Sequence, residues 1–227
     1  MLPSWFINNA LLLIVAYLLG SIPTGYLAGR LLKGVDIREA GSGSTGATNV
    51  LRTIGKIPAL IVLFIDIGKG ALAIAAVHYA FTYLPGWLYY SKIVGLDFGI
   101  WEPVMVTLAG LSALIGHSKS IWLGFSGGKS VATSLGILLA MNWMVALSTV
   151  GVFALSLAIT RIVSISSIAG AVSVIAFMIL FGQPVPYLLF AIAGGGYVIW
   201  RHRSNIQRII EGTEPKIGQK LEEPEAS

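Results

Sequence analysis

Three stretches of this chain carry residue types and spacings suited to binding anions. The first is Gly41-Ser42-Gly43-Ser44-Thr45-Gly46-Ala47-Thr48-Asn49-Val50-Leu51-Arg52. Its glycines let backbone N–H groups approach a ligand closely, and hydroxyls interleave with them. Ser44 or Thr45 is placed to cap a short helix on which Thr48 and Arg52 share a face. A Gly/Ser loop opening a helix that carries an arginine suits a phosphate. The same pattern fits a flexible loop followed by an ordinary capped helix. The second stretch is Gly127-Gly128-Lys129-Ser130. With Gly124, five before Lys129, it comes one residue short of the spacing of a Walker A loop. No strand precedes it and apolar helices flank it, so an anion cradle fits better than a nucleotide site. A lysine snorkelling at a helix end is the plain alternative. The third is dispersed. Arg161 precedes Ser164, Ser166 and Ser167, and Arg201-His202-Arg203-Ser204-Asn205 follows later. His202 and Asn205 share a helix face, beside an apolar stripe of Ile206, Ile209 and Ile210 that equally suits an interfacial helix.

These segments must be held by membrane helices. The chain has 227 residues, of which 56% are hydrophobic and 11% charged, with mean hydropathy +0.82. A soluble domain carries roughly 25% charged residues, so a polytopic membrane protein is expected. Apolar runs predict an all-α membrane bundle of seven spans, near 7–32, 58–83, 101–125, two within 131–159 broken near Asn142, 162–181 and 187–200. Basic residues sort onto one side of this count. Arg30, Lys33, Arg38, Arg52 and Lys56 fall in the first loop, Lys119 and Lys129 in the third, Arg161 in the fifth, and Arg201, Arg203 and Arg208 in the tail. Lys92 is the exception. With the N-terminus outside, the basic loops and the C-terminus are cytoplasmic. Topology then accounts for much of the net charge of +5, and no nucleic-acid partner is expected. Residues 1–212 read as one membrane-embedded domain, and 213–227 as a polar, mostly disordered tail.

Other side chains set limits. The absence of cysteine excludes thioester intermediates and thiolate metal sites. His78, His117 and His202 are too scattered to suggest a metal, and no cofactor is expected. Asp66 and Lys69 lie three apart inside the second span, where each isolated charge costs roughly 2.5–3.5 kcal/mol. They are expected to pair, as a helix lock or as part of a substrate site.

Five stretches together resemble one family, the bacterial acyl-phosphate:glycerol-3-phosphate acyltransferases. They are LLGSIPTGYLAGRLLKGVDIREAGSGSTGATNVLRTIGK, IDIGKGALA, LIGHSKSIWLGFSGGKSVATSLG, RIVSISSIAG and WRHRSNIQRIIEGTE, in the family's order, covering about residues 17–214. The resemblance implies seven spans, a fatty acyl phosphate as donor, glycerol 3-phosphate as acceptor, and 1-acyl-glycerol 3-phosphate as product, in the bacterial plasma membrane with the active site facing the cytoplasm. It places Ser42, Thr48, Asn49 and Arg52 on one family motif, and Gly127, Gly128 and Lys129 on another. Ser167, His202 and Asn205 fall on later active-site positions. The pattern departs at Ser44, Thr45, Ser126 and Ser130, and at Ser120, where GHxxP loses its proline. Ser126 stands where the family commonly has a phosphate-facing lysine, and Lys119 is a candidate to supply its charge.

Other glycerol-phosphate acyltransferases use a His-x4-Asp dyad. Here the residues at that spacing are Tyr83, Trp122 and Gln207, none acidic. A site so equipped suits an activated donor, with catalysis by positioning and charge stabilisation. The expected roles are Lys129 and Arg52 on phosphate oxygens with the N–H groups of Gly43 and Gly127, hydroxyls of Ser42, Ser44, Thr48 and Ser167 orienting phosphates, and His202 and Asn205 on the acceptor. His202 or a substrate phosphate oxygen takes the proton. A transporter of a phosphorylated metabolite and a non-enzymatic membrane subunit remain as rival readings.

Overall fold

The computed structural model describes residues 2–84, 95 and 97–219. Lys92 and the end of the tail, 220–227, lie outside the described residues. The architecture is all-helical, and the one β-type pairing among the described residues is an isolated bridge between Ser120 and Ser126.

The first apolar run is two helices, not one. Helix α1 (Leu2–Ser21) stops at Ile22-Pro23 and α2 (Thr24–Lys33) follows. Proline removes a backbone donor and breaks the ladder. At this break the Ile22 carbonyl accepts from both Thr24 N–H and Lys69 Nζ, each at 3.0 Å. Helix α2 buries Thr24, Gly25 and Gly29 and exposes Leu27, Leu31 and Leu32. After a 3-10 turn at Ile37–Glu39 comes short α3 (Ala47–Thr53), then α4 (Lys56–Tyr83).

Helix α5 (Phe98–Ser118) ends seven residues before the expected limit at residue 125. Residues 119–130 instead form a compact loop, with a 3-10 turn at Ile121–Leu123 and left-handed backbone at Gly124, φ +61°. Ser120 Oγ donates to the carbonyl of Ser21 at 2.6 Å, so the loop also closes the end of α1. The long run after it breaks where expected. Helix α6 (Val131–Met141) stops at Asn142, whose Oδ1 accepts from the N–H groups of Met144 and Val145 and opens α7 (Trp143–Thr160). Helices α8 (Val163–Leu180), α9 (Val185–Arg201) and α10 (Arg203–Ile210) complete the chain. Among the described residues, five stretches are long and apolar enough to cross a membrane: Trp5–Lys33, Lys56–Tyr83, Gly99–Ser118, Trp143–Thr160 and Val163–Leu180. Val131–Met141 and Val185–Arg201 are shorter apolar helices.

The main core joins α1, α4, α5, α6, α7, α8 and α9, with Ile74, Val77, Met105, Ala113 and Ile137 at its centre. A smaller cluster of Ile37, Val50, Ala59 and Val62 underlies the glycine-rich loop. Helices α4 and α6 touch through backbone: a Cβ at Gly136 would strike the carbonyl of Ile67, and one at Gly70 that of Thr133. Small residues permit this approach in membrane bundles, and it fixes the helix that begins just after Lys129. The chain beyond α10 is also packed. Ile217 N–H donates to the Arg161 carbonyl at 2.8 Å, and Glu214 is only 7% exposed. Glu214 and Ile217 thus tie the start of the tail to α8, α10 and the end of α7.

Candidate active site

Asn49 builds the first wall of the site. Its side-chain amide nitrogen donates to the carbonyls of Ile37 (3.0 Å), Ala40 (3.0 Å) and Ser44 (2.8 Å). Its Oδ1 accepts from Ser42 N–H at 2.8 Å. The side chain expected to touch phosphate is thus engaged with the loop and gives it its shape. Gly41, at φ +57°, has no Cβ because that Cβ would strike Asn49 Oδ1. Gly46 occupies the N-cap of α3, not Ser44 or Thr45, and Ser44 Oγ accepts from Gly46 N–H at 3.4 Å. Thr48 and Arg52 do share a face, and with Ser42 and Ser44 they line one cavity of about 710 Å³.

The second wall is the Gly127–Lys129 loop. Arg201 Nη2 donates to the carbonyls of Gly127 and Gly128 at 3.1 and 3.0 Å. Gly128 N–H donates to the carbonyl of His117 at 3.2 Å, and the His117 ring fills the space a Cβ on Gly128 would need. Ser130, in left-handed backbone at φ +64°, donates from Oγ to the Leu114 carbonyl at 2.9 Å. Lys129 then reaches across the cavity to Asn205 Oδ1 at 2.5 Å.

Helices α8 and α10 supply the third wall. Ser164, Ser167, His202 and Asn205 line the same cavity. Glu214 comes in from the tail and accepts from Asn205 Nδ2 (2.6 Å), Ser164 Oγ (2.8 Å) and Arg208 Nε (2.8 Å). A chain of contacts thus runs Lys129–Asn205–Glu214–Arg208. Ser167 Oγ donates back to the Val163 carbonyl at 2.8 Å. His202 Nδ1 donates to the Val198 carbonyl at 2.7 Å, which leaves the Nε2 lone pair free. Arg52 makes no hydrogen bond or ion pair among the described residues and is half-buried in the cavity wall.

Charge in this cavity is held under strain. Burial pushes Lys129 down to about 8; Glu214 pulls it back up, while Arg208, Arg52 and Arg201 press it lower. Arg52 is lowered too, first by burial. Burial holds His202 down to about 4, so the imidazole is neutral at pH 7. For Glu214, burial acts upward, but hydrogen bonds from Asn205, Ser164 and Arg208 outweigh it and keep the carboxylate ionised. Among the described residues no three His, Asp or Glu side chains gather as a metal site.

Beneath both loops lies a buried polar cluster. Asp66 and Lys69 pair at 2.8 Å, Thr24 Oγ1 donates to Asp66 Oδ1 at 2.6 Å, and His117 Nδ1 stands 3.6 Å from the same oxygen. Asp66 and His117 also line the cavity, deeper than the hydroxyls. Lys119 and Ser126 do not line it. Ser126 Oγ accepts from Arg38 Nη1 at 3.3 Å, and Arg38 is bound to Asp36 at 2.7 Å. Gly43, Gly127 and Gly128 shape the walls without lining them. Below the polar end the cavity turns apolar, passing Leu63, Leu135, Leu138, Phe153, Val174 and Phe190.

The protein-family model described as "Glycerol-3-phosphate acyltransferase" matches residues 10–212. The chain belongs to the glycerol-3-phosphate acyltransferase family. A glycerol-3-phosphate acyltransferase of Nostoc sp. (strain PCC 7120 / SAG 25.82 / UTEX 2576) is 62% identical over 217 residues, 96% of this chain and 95% of the relative. One of Trichodesmium erythraeum is 57% identical over 223 residues, 96% of each chain. The crystal structure of PlsY (YgiH), an integral membrane glycerol 3-phosphate acyltransferase, in its glycerol 3-phosphate form, superposes with a TM-score of 0.80 at 36% identity, covering 93% of this chain and 96% of that one. Its lysophosphatidic acid form gives 0.78 at 35% identity, with the same coverage. The protein is a multi-pass membrane acyltransferase of this family, and the transporter and non-enzymatic readings fall away.

The sequence reading missed Glu214, Arg201, His117 and Thr24 as parts of the site. Arg201 was visible as a basic residue beside His202, and His117 as a histidine at a helix end. Neither had a sequence signal for its partner. Glu214 was masked by the composition of the tail.

Proposed function

We propose that the protein transfers a fatty acyl group from an acyl phosphate to the C1 hydroxyl of glycerol 3-phosphate, giving 1-acyl-glycerol 3-phosphate and inorganic phosphate. The carrying observation is the shape of one cavity. Hydroxyls and the cations Arg52 and Lys129 line its polar end, and apolar side chains of α4, α6, α7, α8 and α9 line the rest. Such a cavity accommodates phosphate at one end and an acyl chain at the other.

Arg52, with its unpaired guanidinium, and Lys129 hold phosphate oxygens. Ser42, Ser44, Thr48 and Ser167 offer hydroxyl contacts, with backbone N–H groups of the glycine loops at Gly43 and Gly127. The acceptor hydroxyl attacks the acyl carbonyl carbon. A C–O ester bond forms, and the bond from the carbonyl carbon to the phosphate oxygen breaks. Phosphate leaves with the electron pair. His202, held near 4 by burial, is a weak base with a free Nε2 and fits orientation of the acceptor hydroxyl. A phosphate oxygen takes the proton. Asn205 serves the acceptor less directly than its position in the chain suggests, because its amide already bridges Lys129 and Glu214.

The site faces the cytoplasm of a bacterium, in the plasma membrane, with α6 and α9 crossing as the remaining two of seven spans and the N-terminus outside. Support comes from the distribution of arginine and lysine. The membrane domain includes the ordered part of the tail through Glu214. No resident cofactor or metal enters this scheme. The test uses purified protein in detergent with labelled glycerol 3-phosphate and either palmitoyl phosphate or palmitoyl-CoA. Product and released phosphate should appear in equal amounts with the first donor only. Equal rates with both donors would refute the assignment.

A further inference from the structure

The apolar part of the cavity opens sideways between α4 and α7, where the lining residues Leu60 and Val150 are exposed, and ends against buried side chains. Near the loops, the lining residue Leu60 of α4 is more than half exposed on the lipid-facing side. At depth, Leu138, Val174, Phe190 and Ala191 all line the cavity and are buried. They come from three helices, α6, α8 and α9, that converge there. Phe190 lies twelve residues from His202 along α9, about 18 Å at the rise of an α-helix. Its ring cannot recede without hindrance, since it packs against Gly110 of α5, where a Cβ would come within 2.9 Å of the ring.

We propose that Phe190, flanked by Leu138 and Val174, is the floor of the acyl slot and sets the longest chain the enzyme accepts. This rests on the acyl-donor reading above and adds the residue that measures the donor. The depth of about 18 Å compares with one leaflet, half of a hydrocarbon core roughly 30 Å thick. The substrate class is therefore an unbranched acyl chain of ordinary membrane-lipid length. A longer chain would have to bend back toward the opening between α4 and α7. A shorter one leaves the floor unfilled.

The test measures kcat/KM for a series of acyl phosphates of increasing length in detergent, with phosphate release as readout. Phe190→Ala opens space toward Gly110 and should shift the preferred length upward. Val174→Phe fills the slot and should shift it downward. One methylene in an apolar pocket changes discrimination by about tenfold or more, so the long-to-short ratio should change by at least that factor in opposite directions. If Phe190→Ala does not elute as folded protein, Phe190→Leu and Val174→Phe are compared instead. Folded variants with the wild-type length profile overturn the floor. Wild-type protein that turns over no acyl phosphate of any length overturns the donor assignment instead.

Discussion

Lys129 should give the enzyme an alkaline limit unusual for a lysine. An exposed lysine loses its proton near 10.4, whereas burial holds this one down to about 8. The ammonium is the form that binds phosphate. As pH rises through about 8 that form is lost, and kcat/KM, which follows the free enzyme, should fall roughly tenfold for each further unit. Lys129→Arg keeps its charge throughout this range. It should therefore lose the limb near 8, at whatever absolute rate its different geometry allows. Binding of glycerol 3-phosphate above pH 8 should take up a proton, seen by calorimetry as an enthalpy that depends on the buffer. Stability must follow the opposite trend. Between about 8 and the unfolded value the unfolded chain binds more protons at this residue, so its contribution to stability rises with pH. A wild-type kcat/KM that stays flat from pH 7 to 10, or an arginine variant with the same limb, would refute the reasoning.

Arg52→Ala should cost about 1.5–3 kcal/mol for a lost charge-assisted contact, or one to two powers of ten in kcat/KM. Arg52→Lys should not restore it, because a point charge does not replace a bidentate fork. Glu214→Gln removes the charge that supports Lys129, so the alkaline limb should move below 8; an unmoved limb in the folded variant would show that Glu214 does not set the charge of Lys129. Asp66→Asn leaves Lys69 without its counter-charge in the bundle and should destabilise by about 3–5 kcal/mol, read as a lower melting temperature in detergent. Single cysteines at Ser44, Ser126 and Ser204 should be shielded from an impermeant thiol reagent outside intact cells, and cysteines at Asn8 and Gln183 should react. Labelling at Ser204 without labelling at Ser44 would break the seven-span arrangement.

The sequence showed the walls of the site better than their fastenings. Gly41–Arg52, Gly127–Lys129 and the His202/Asn205 pair were legible because glycines, hydroxyls and cations are rare together in so apolar a chain. The break at Asn142 was legible because the apolar run was too long for one helix. The break at Ile22-Pro23 carried a plain signal in its proline, but hydropathy alone ran across it. Asn49 was read as a ligand contact because the resemblance places it on a family motif beside Thr48. Only the fold brings Ile37, Ala40 and Ser44 carbonyls around it. Glu214 was hidden for a similar reason: its partner Ser164 is fifty residues away, and a polar, proline-containing tail gives no hint of so distant a contact.

The buried pair in α4 explains how two loops remote in sequence keep one geometry. Lys69 donates to the carbonyl of Ile22 at the break between α1 and α2, and Asp66 takes a hydrogen bond from Thr24 at the start of α2. Helix α2 in turn supports the glycine-rich loop, since a Cβ on its Gly25 would meet the Thr45 carbonyl. On the other side His117, beside Asp66, holds the backbone of Gly128 next to Lys129. The ion pair thus braces the first wall directly, and the His117 ring fills the space between Asp66 and Gly128 at the second. Buried charge is a poor source of stability, but here it fixes where the phosphate donors stand. A rigid, preorganised cradle suits a reaction whose donor is already activated, because such a donor needs charge stabilisation at the leaving phosphate more than a strong base at the hydroxyl. The low pKa of His202 agrees with that division of labour. Loosening the brace, by Thr24→Val or His117→Phe, should therefore reduce kcat more than the binding of inorganic phosphate, since transition-state geometry is lost while the cations remain.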